Sequence, residues 1–446
     1  MRKPELLSPA GTYKSMQYAF AYGADAVYAG QPRYSLRVRN NDFSRIERLA
    51  EGVDYAHRLG KQFFIASNVS PHNDKLKSYL RDMEPVIAMK PDALIMADPG
   101  LIMMVRERWP EIPVHLSVQA NAVNWATVKF WKRMGLTRII LSRELSLEEV
   151  AEIRQECPDI ELEVFVHGAL CIAYSGRCLL SGYITHRDSN QGACTNTCRW
   201  KYQAHEAVQT ESGDVVAIHE PVPLQAPEPE PAPVQDRIYL LQEEGRPGEY
   251  MPAYEDEHGT YIMNSKDLRA IQHVRQLIDI GVDCLKIEGR TKSHYYVART
   301  AQAYRRAIDD ALAGREFDMG LMEELEKLAS RGYTEGFYRR HPPGEFQNYE
   351  RGVSKGDYQQ FVGEVLDLDA ASAMLTVSVN NRFALGDRLE LMTPQGNCEF
   401  TLTDMTSEAG ERREVAPGSG HVVKFPLPEA ARELRDAGYA MVARYI

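Results

Sequence analysis

No apolar stretch of the chain approaches the roughly 18 residues that a membrane span needs, so no span is expected. The N-terminus, MRKPELLSPAG, carries charges but no apolar core of the secretory type, which makes the reducing cytoplasm the expected location. Other signatures are missing as well. There is no GxGxxG turn of a dinucleotide-binding sheet, no GxSxG elbow and no HExxH helix, so neither that sheet nor proteolysis has visible machinery. Positive charge is in deficit, with 52 Lys and Arg against 63 Asp and Glu and a net charge of −11. That balance argues against indiscriminate coating of nucleic acid and leaves room for a local basic face.

The 446 residues, 44% hydrophobic and 26% charged, suit a soluble protein of two or three domains. Short apolar runs ending in polar or small residues alternate with amphipathic segments of about a dozen residues. The runs are 5–10, 26–30, 62–68, 93–98, 114–121, 138–144 and 162–168, and CLKIEG at 284–289, followed by HYYVARTAQAYRRAIDDALAG, makes an eighth. Eight such units predict an α/β fold of TIM-like (β/α)8 type with a long cysteine-bearing insertion after the seventh strand. An open doubly wound sheet is the alternative, without its fingerprint. In a barrel the C-terminal strand ends carry the active site, and here they are polar: Ser8, Asn68, Asp98, Gln119, Asn121, Arg143, Glu144, His167, Lys286, Glu288 and Arg290. His167, Glu288 and Asp98 are the expected catalytic groups of this ring.

Four of the seven cysteines follow the seventh strand directly. Six residues separate Cys171 from Cys178, fifteen separate Cys178 from Cys194, and three separate Cys194 from Cys198. Disulfides would need an oxidising compartment. A structural zinc site fits the last pair as a knuckle but not the wide first gap; an iron–sulfur cluster tolerates uneven spacing; buried packing is the bland reading. Cys157, Cys284 and Cys398 read as packing residues.

Basic residues gather twice, as Arg33, Arg37, Arg39 and Arg45 opposed by Asp42, and as Lys286, Arg290, Lys292, Arg299, Arg305 and Arg306 opposed by Glu288. The barrel domain is expected over 1–345. Its insertion, about 169–282, includes the proline-rich run 221–234, which reads as an exposed stiff linker. From 361 to 446 short alternating runs predict a small antiparallel β-barrel domain, a curved surface suited to holding RNA.

EVFVHGALCIAYSGRCLLS resembles the signature of the collagenase-like peptidases of unknown catalytic type. The opening ELLSPAGTYKSMQYAFAYGADAVYAGQPRYSLRVRNN, with IMNSKDL and LKIEGRTKSHYYVARTAQAYR, resembles the branch that hydroxylates the wobble uridine of tRNA to 5-hydroxyuridine with prephenate. The likeness runs nearly end to end and is weakest in the proline-rich insertion. It implies a [4Fe–4S] cluster with Cys171, Cys178, Cys194 and Cys198 as metal ligands, prephenate as co-substrate and the tRNA anticodon loop as partner. Arg33, Arg37, Arg39, Asn68, Gln119, Asn121, Arg143, Lys286 and Arg290 are then the expected substrate-binding residues, since guanidinium forks suit the two carboxylates of prephenate. Bases splayed from a single-stranded loop stack on aromatics, and Trp200, Tyr295 and Tyr296 are candidates.

Overall fold

The structure is a computed structural model that describes residues 2–36, 41–170, 266–328, 330, 332–339 and 359–446, with the backbone of five short strands between 207 and 261. Cys171, Cys178, Cys194, Cys198, Arg37, Arg39, Trp200 and the proline-rich run lie outside the described residues.

Eight strands close a parallel barrel: β1 (Glu5–Pro9), β2 (Ala26–Gly30), β3 (Gln62–Ser67), β4 (Ala93–Met96), β5 (Val114–Leu116), β6 (Arg138–Ile140), β7 (Glu161–Ala169) and β8 (Cys284–Ile287). Each pairs in parallel with the next, and β8 pairs with both β7 and β1. The flanking helices are α1 (Tyr13–Ala21), α2 (Ile46–Arg58), α3 (Asn73–Ala88), α4 (Pro99–Arg108), α5 (Trp125–Arg133), α6 (Leu147–Glu156), α7 (Val274–Ile280) and α8 (His294–Leu312). Their starts are written locally. Thr12, Asp98, Asn124, Ser146 and Ser293 each accept a backbone N–H of the first turn, and Ser146 forms a capping box with Glu149. A further helix, α9 (Gly320–Glu326), follows.

The lumen is more ionic than the branched-aliphatic filling usual in such barrels. Near its N-terminal end Arg138 donates to Glu5 at 2.7 Å, Glu161 at 2.8 Å and Glu163 at 3.4 Å. One layer higher Lys286 donates to Glu163 at 2.7 Å, and both side chains are buried. Two cations therefore share one buried carboxylate, which keeps each of them paired inside the barrel.

The second unit is antiparallel. It runs through β9 (Gln359–Asp369), β10 (Met374–Val379), β11 (Arg388–Thr393), β12 (Gly396–Thr401), β13 (Val422–Pro426) and β14 (Met441–Tyr445) in the spatial order β12-β11-β14-β9-β10-β13. Its own core includes Val362, Leu375, Val377, Phe383, Leu389 and Phe425. It docks on α1 and α8: Tyr22 donates to the carbonyls of Met392 and Tyr439, and Arg299 reaches Gln359 at 3.0 Å and the buried Glu390.

Candidate functional site

The barrel mouth is built chiefly from β2, β8 and the turn after β6. Glu288 follows β8 and is 8% exposed. Tyr28 of β2 donates to the Ile287 carbonyl at 3.0 Å and to Glu288 Oε2 at 3.2 Å. Arg143 lies 3.7 Å from the same Glu288 oxygen and lays its guanidinium on the Phe165 ring, 3.7 Å from the centroid. Beside them Arg290 donates to Ser35 Oγ at 2.9 Å, and the Ser35 hydroxyl donates in turn to the Leu36 carbonyl at 2.9 Å. That approach requires Gly30, because a Cβ there would stand 2.4 Å from Ser35 Oγ and 3.0 Å from an Arg290 nitrogen. Gly11 is equally constrained, since its Cβ would meet the Arg290 carbonyl oxygen at 1.7 Å.

Arg143 differs from the other cations. Its side chain is only 12% exposed, yet among the described residues its guanidinium has the 3.7 Å approach to Glu288 and the Phe165 ring, and no hydrogen bond. A guanidinium carries five donors in a planar fork that matches a carboxylate or phosphate. Among the described residues the mouth thus holds a mostly buried guanidinium with no hydrogen bond.

The expected ring is only partly assembled. Arg143, Glu288 and Arg290 come together at the mouth, with Asn68 at its edge, where Asn68 accepts from the Leu36 N–H at 3.2 Å and donates to Ser117 at 3.4 Å. Lys286 sits below it; its charge is committed to Glu163 and to the Tyr28 ring at 4.3 Å, so it supports the site from within the lumen. Gln119 and Asn121 belong to a short helical turn, where Asn121 adopts left-handed backbone and donates to the Gln119 carbonyl at 3.1 Å. Arg33 is 57% exposed and pairs with Asp82 of α3 at 2.7 Å, a surface contact.

Two expected catalytic groups have other work. Asp98 caps α4, accepting from the Leu101 N–H at 2.9 Å. His167 is turned out of the lumen by a β-bulge: Phe165 faces Lys286 and His167 faces Ile287, so Val166 is an extra residue that reverses the alternation. Its ring lies against Tyr296 and Tyr304 of α8 and Tyr333 instead. Burial pushes its pKa down to about 3, so the imidazole is neutral across the physiological range. Tyr295 and Tyr296 are themselves buried in α8, unlike the exposed aromatics that stack RNA bases.

Tyr28, Ser35 and Glu163 were not singled out from the sequence. The alternation of AVYAG offered a signal, since it puts Tyr28 on the lumenal face with Gly30.

Residues 11–348 match the model of peptidase family U32, and residues 357–435 match that of the U32 C-terminal domain. The chain belongs to peptidase family U32. It is 62% identical over 447 residues to tRNA hydroxylation protein P of Escherichia coli (strain K12), across 100% of this chain and 97% of that protein. It is 61% identical to tRNA hydroxylation protein P of Haemophilus influenzae, across 99% and 96%. With the E. coli 23S rRNA 5-hydroxycytidine C2501 synthase it shares 31% identity, over 87% of this chain and 52% of that one.

Within this U32 chain the three described thiols are poor nucleophiles. Burial pushes Cys157, Cys284 and Cys398 up, and Cys284 lies wholly inside the barrel. Among the described residues no group of three His, Cys, Asp or Glu could hold a metal ion. The remaining four thiols, in the segment beginning two residues after β7 ends, lie outside the described residues, and four thiolates are a soft donor set of the kind that zinc and iron–sulfur clusters both take. No helix among the described residues is long and apolar enough to cross a membrane.

Proposed function

We propose that this U32 chain is a cytoplasmic tRNA-modifying enzyme that hydroxylates the wobble uridine to 5-hydroxyuridine with prephenate as co-substrate. The hydroxylation of tRNA is carried by end-to-end similarity to two tRNA hydroxylation proteins. The observation that supports a dicarboxylate partner is Arg143, a nearly buried guanidinium without a hydrogen bond among the described residues, at the same mouth as Arg290, which donates to Ser35. Two cationic forks at one mouth suit a small dianion.

In this reading Arg143 and Arg290 bind and orient the carboxylates of prephenate, while Phe165 and Tyr28 present flat faces on which those guanidiniums rest. Glu288, held by the Tyr28 hydroxyl, is the group placed to hold or move a proton at the mouth. A [4Fe–4S] cluster on Cys171, Cys178, Cys194 and Cys198 would supply electron transfer or a binding point for a substrate oxygen.

The test is nucleoside analysis of unmodified tRNA incubated with anaerobically purified protein, with and without prephenate. The wild type is expected to form 5-hydroxyuridine only with prephenate. Arg143→Lys, which keeps the charge and loses the fork, is expected to raise the prephenate requirement about tenfold to a hundredfold at unchanged stability. Product formed equally without prephenate would end this reading of the co-substrate.

A further inference from the structure

We infer that Tyr28 is a positioning residue of the barrel mouth: its hydroxyl fixes the Glu288 carboxylate, and its ring supports the Lys286 and Arg290 cations. The inference rests on the prephenate-dependent reading and names the residue that organises that site.

The geometry is specific. Tyr28 sits in β2, whereas its partners sit in and just after β8, with β1 between the two strands. Its contacts therefore owe nothing to strand pairing, and the side chain reaches past β1 to make them. The hydroxyl has one proton, and the acceptors it reaches include the Ile287 carbonyl at 3.0 Å and Glu288 Oε2 at 3.2 Å. An ionised carboxylate is the stronger acceptor, and a protonated one no longer needs the donor. The phenol is thus poised to favour the anionic form of Glu288 at no rearrangement of heavy atoms. The ring has its own task. Lys286 Nζ stands 4.3 Å and Arg290 Cζ 5.6 Å from its centroid, distances at which an aromatic face attracts a cation. Two residues on, Gly30 makes the room that Arg290 and Ser35 occupy. One strand thus sets both the proton-handling carboxylate and the anion-binding guanidinium.

Tyr28→Phe separates these roles by keeping the ring. In the full-length, iron-loaded protein we expect prephenate affinity by calorimetry to stay within about twofold, hydroxylation turnover to fall about tenfold or more because a hydrogen bond to a charged group is lost, and the acidic limb of the pH–rate profile to move to higher pH. Tyr28→Leu, which also removes the ring, is expected to weaken prephenate binding about tenfold further. Wild-type turnover and an unmoved acidic limb in Tyr28→Phe, with only a lower melting temperature, would overturn the inference and leave the phenol a packing group. If Tyr28→Phe is poorly stable, a double-mutant cycle with Glu288→Gln decides per folded molecule: non-additive losses of turnover support a shared role, additive ones overturn it. A wild type that binds no prephenate in the same titration defeats the co-substrate reading and this inference with it, a failure distinct from a silent Tyr28→Phe in a prephenate-binding protein.

Discussion

Arg143 at the barrel mouth and Arg299 at the seam between the two domains are both nearly buried arginines beside a nearly buried glutamate, but their surroundings differ. Arg299 engages Glu324 and Glu390 with its terminal nitrogens and Gln359 at 3.0 Å, and Glu390 is further held by Lys327 at 3.0 Å and Gln359 at 2.8 Å. Arg143 has Glu288 at 3.7 Å, an aromatic face and, among the described residues, no hydrogen bond. The fold engages both terminal nitrogens of one guanidinium and, among the described residues, gives the other no hydrogen bond. Breaking a buried ion pair leaves a poorly compensated charge, whereas donors without an internal partner lower the cost of binding an anion that can fill them.

The largest effect that would break this contrast lies at the seam. Arg299→Ala leaves the buried Glu390 with Lys327 and Gln359 alone; a bare buried partner costs about 3–5 kcal/mol, and the remaining Lys327 contact puts the expected loss near the lower end of that range, about 3 kcal/mol. Urea unfolding should show that loss, while the folded protein retains its prephenate affinity. The seam and mouth would prove to be one functional unit if the variant kept its stability and lost its turnover. The same burial explains why deleting residues 359–446 is a poor assay for RNA binding, since it exposes the α8 face that carries Arg299. The small domain also has 8 Lys and Arg against 13 Asp and Glu, so phosphate contacts there require a local basic face.

His167 sharpens the contrast from the other side, as a buried titratable group close to the mouth in sequence that the mouth does not use. Its folded pKa is depressed from 6.5 to about 3 by burial. Above pH 6.5 it is neutral in both folded and unfolded chains; below that the unfolded chain takes up the proton first, so stability is lost as pH falls from 6.5 towards 3. Between pH 6.5 and pH 5 this amounts to about 2 kcal/mol. His167→Asn should remove that part of the acid sensitivity and leave the pH–rate profile in place. Loss of a limb from the profile would restore His167 as an acid–base group.

The eight barrel strands were legible because each is a short apolar run closed by polar residues, a pattern fixed by burial on both faces. Arg143, Glu288 and Arg290 were legible for the same reason, as polar residues at strand ends. What the strand-end rule could not carry was pairing at long range. Lys286 looks like a free cation until Glu163, 123 positions earlier, is seen to face it. His167 looks lumenal until Val166 is seen to bulge, and nothing in EVFVHG marks an extra residue. Asp98 is the opposite case: Asp followed by Pro99 is the sequence signature of a helix N-cap with proline at the first position, and that local signal outweighs the ring position.

The smallest expected effect concerns the seam beside the mouth. Glu364 of β9 accepts from Lys14 of α1 at 2.5 Å and meets His294, the first residue of α8, at 3.0 Å. Both helices begin at the barrel face that carries Glu288 and Arg290, so one carboxylate of the small domain ties down two helix starts there. The neighbouring His294 ring nitrogen, aided by Lys14 and opposed by burial, holds Glu364 down at about 2 against an ordinary value of 4.5. A carboxylate depressed in the folded state stabilises above its unfolded pKa and loses that contribution as pH falls, here between about 4.5 and about 2. The pair is partly solvated, so screening reduces the gain to on the order of 1 kcal/mol. Glu364→Gln should therefore lower the melting temperature at pH 6 by a few degrees and narrow the gap from wild type at pH 3, with turnover at neutral pH kept. An equal gap at both pH values would show that the amide disturbs packing and that the charge does nothing; no gap at either would make the contact a solvated surface pair, leaving Arg299 and Glu390 to hold the seam.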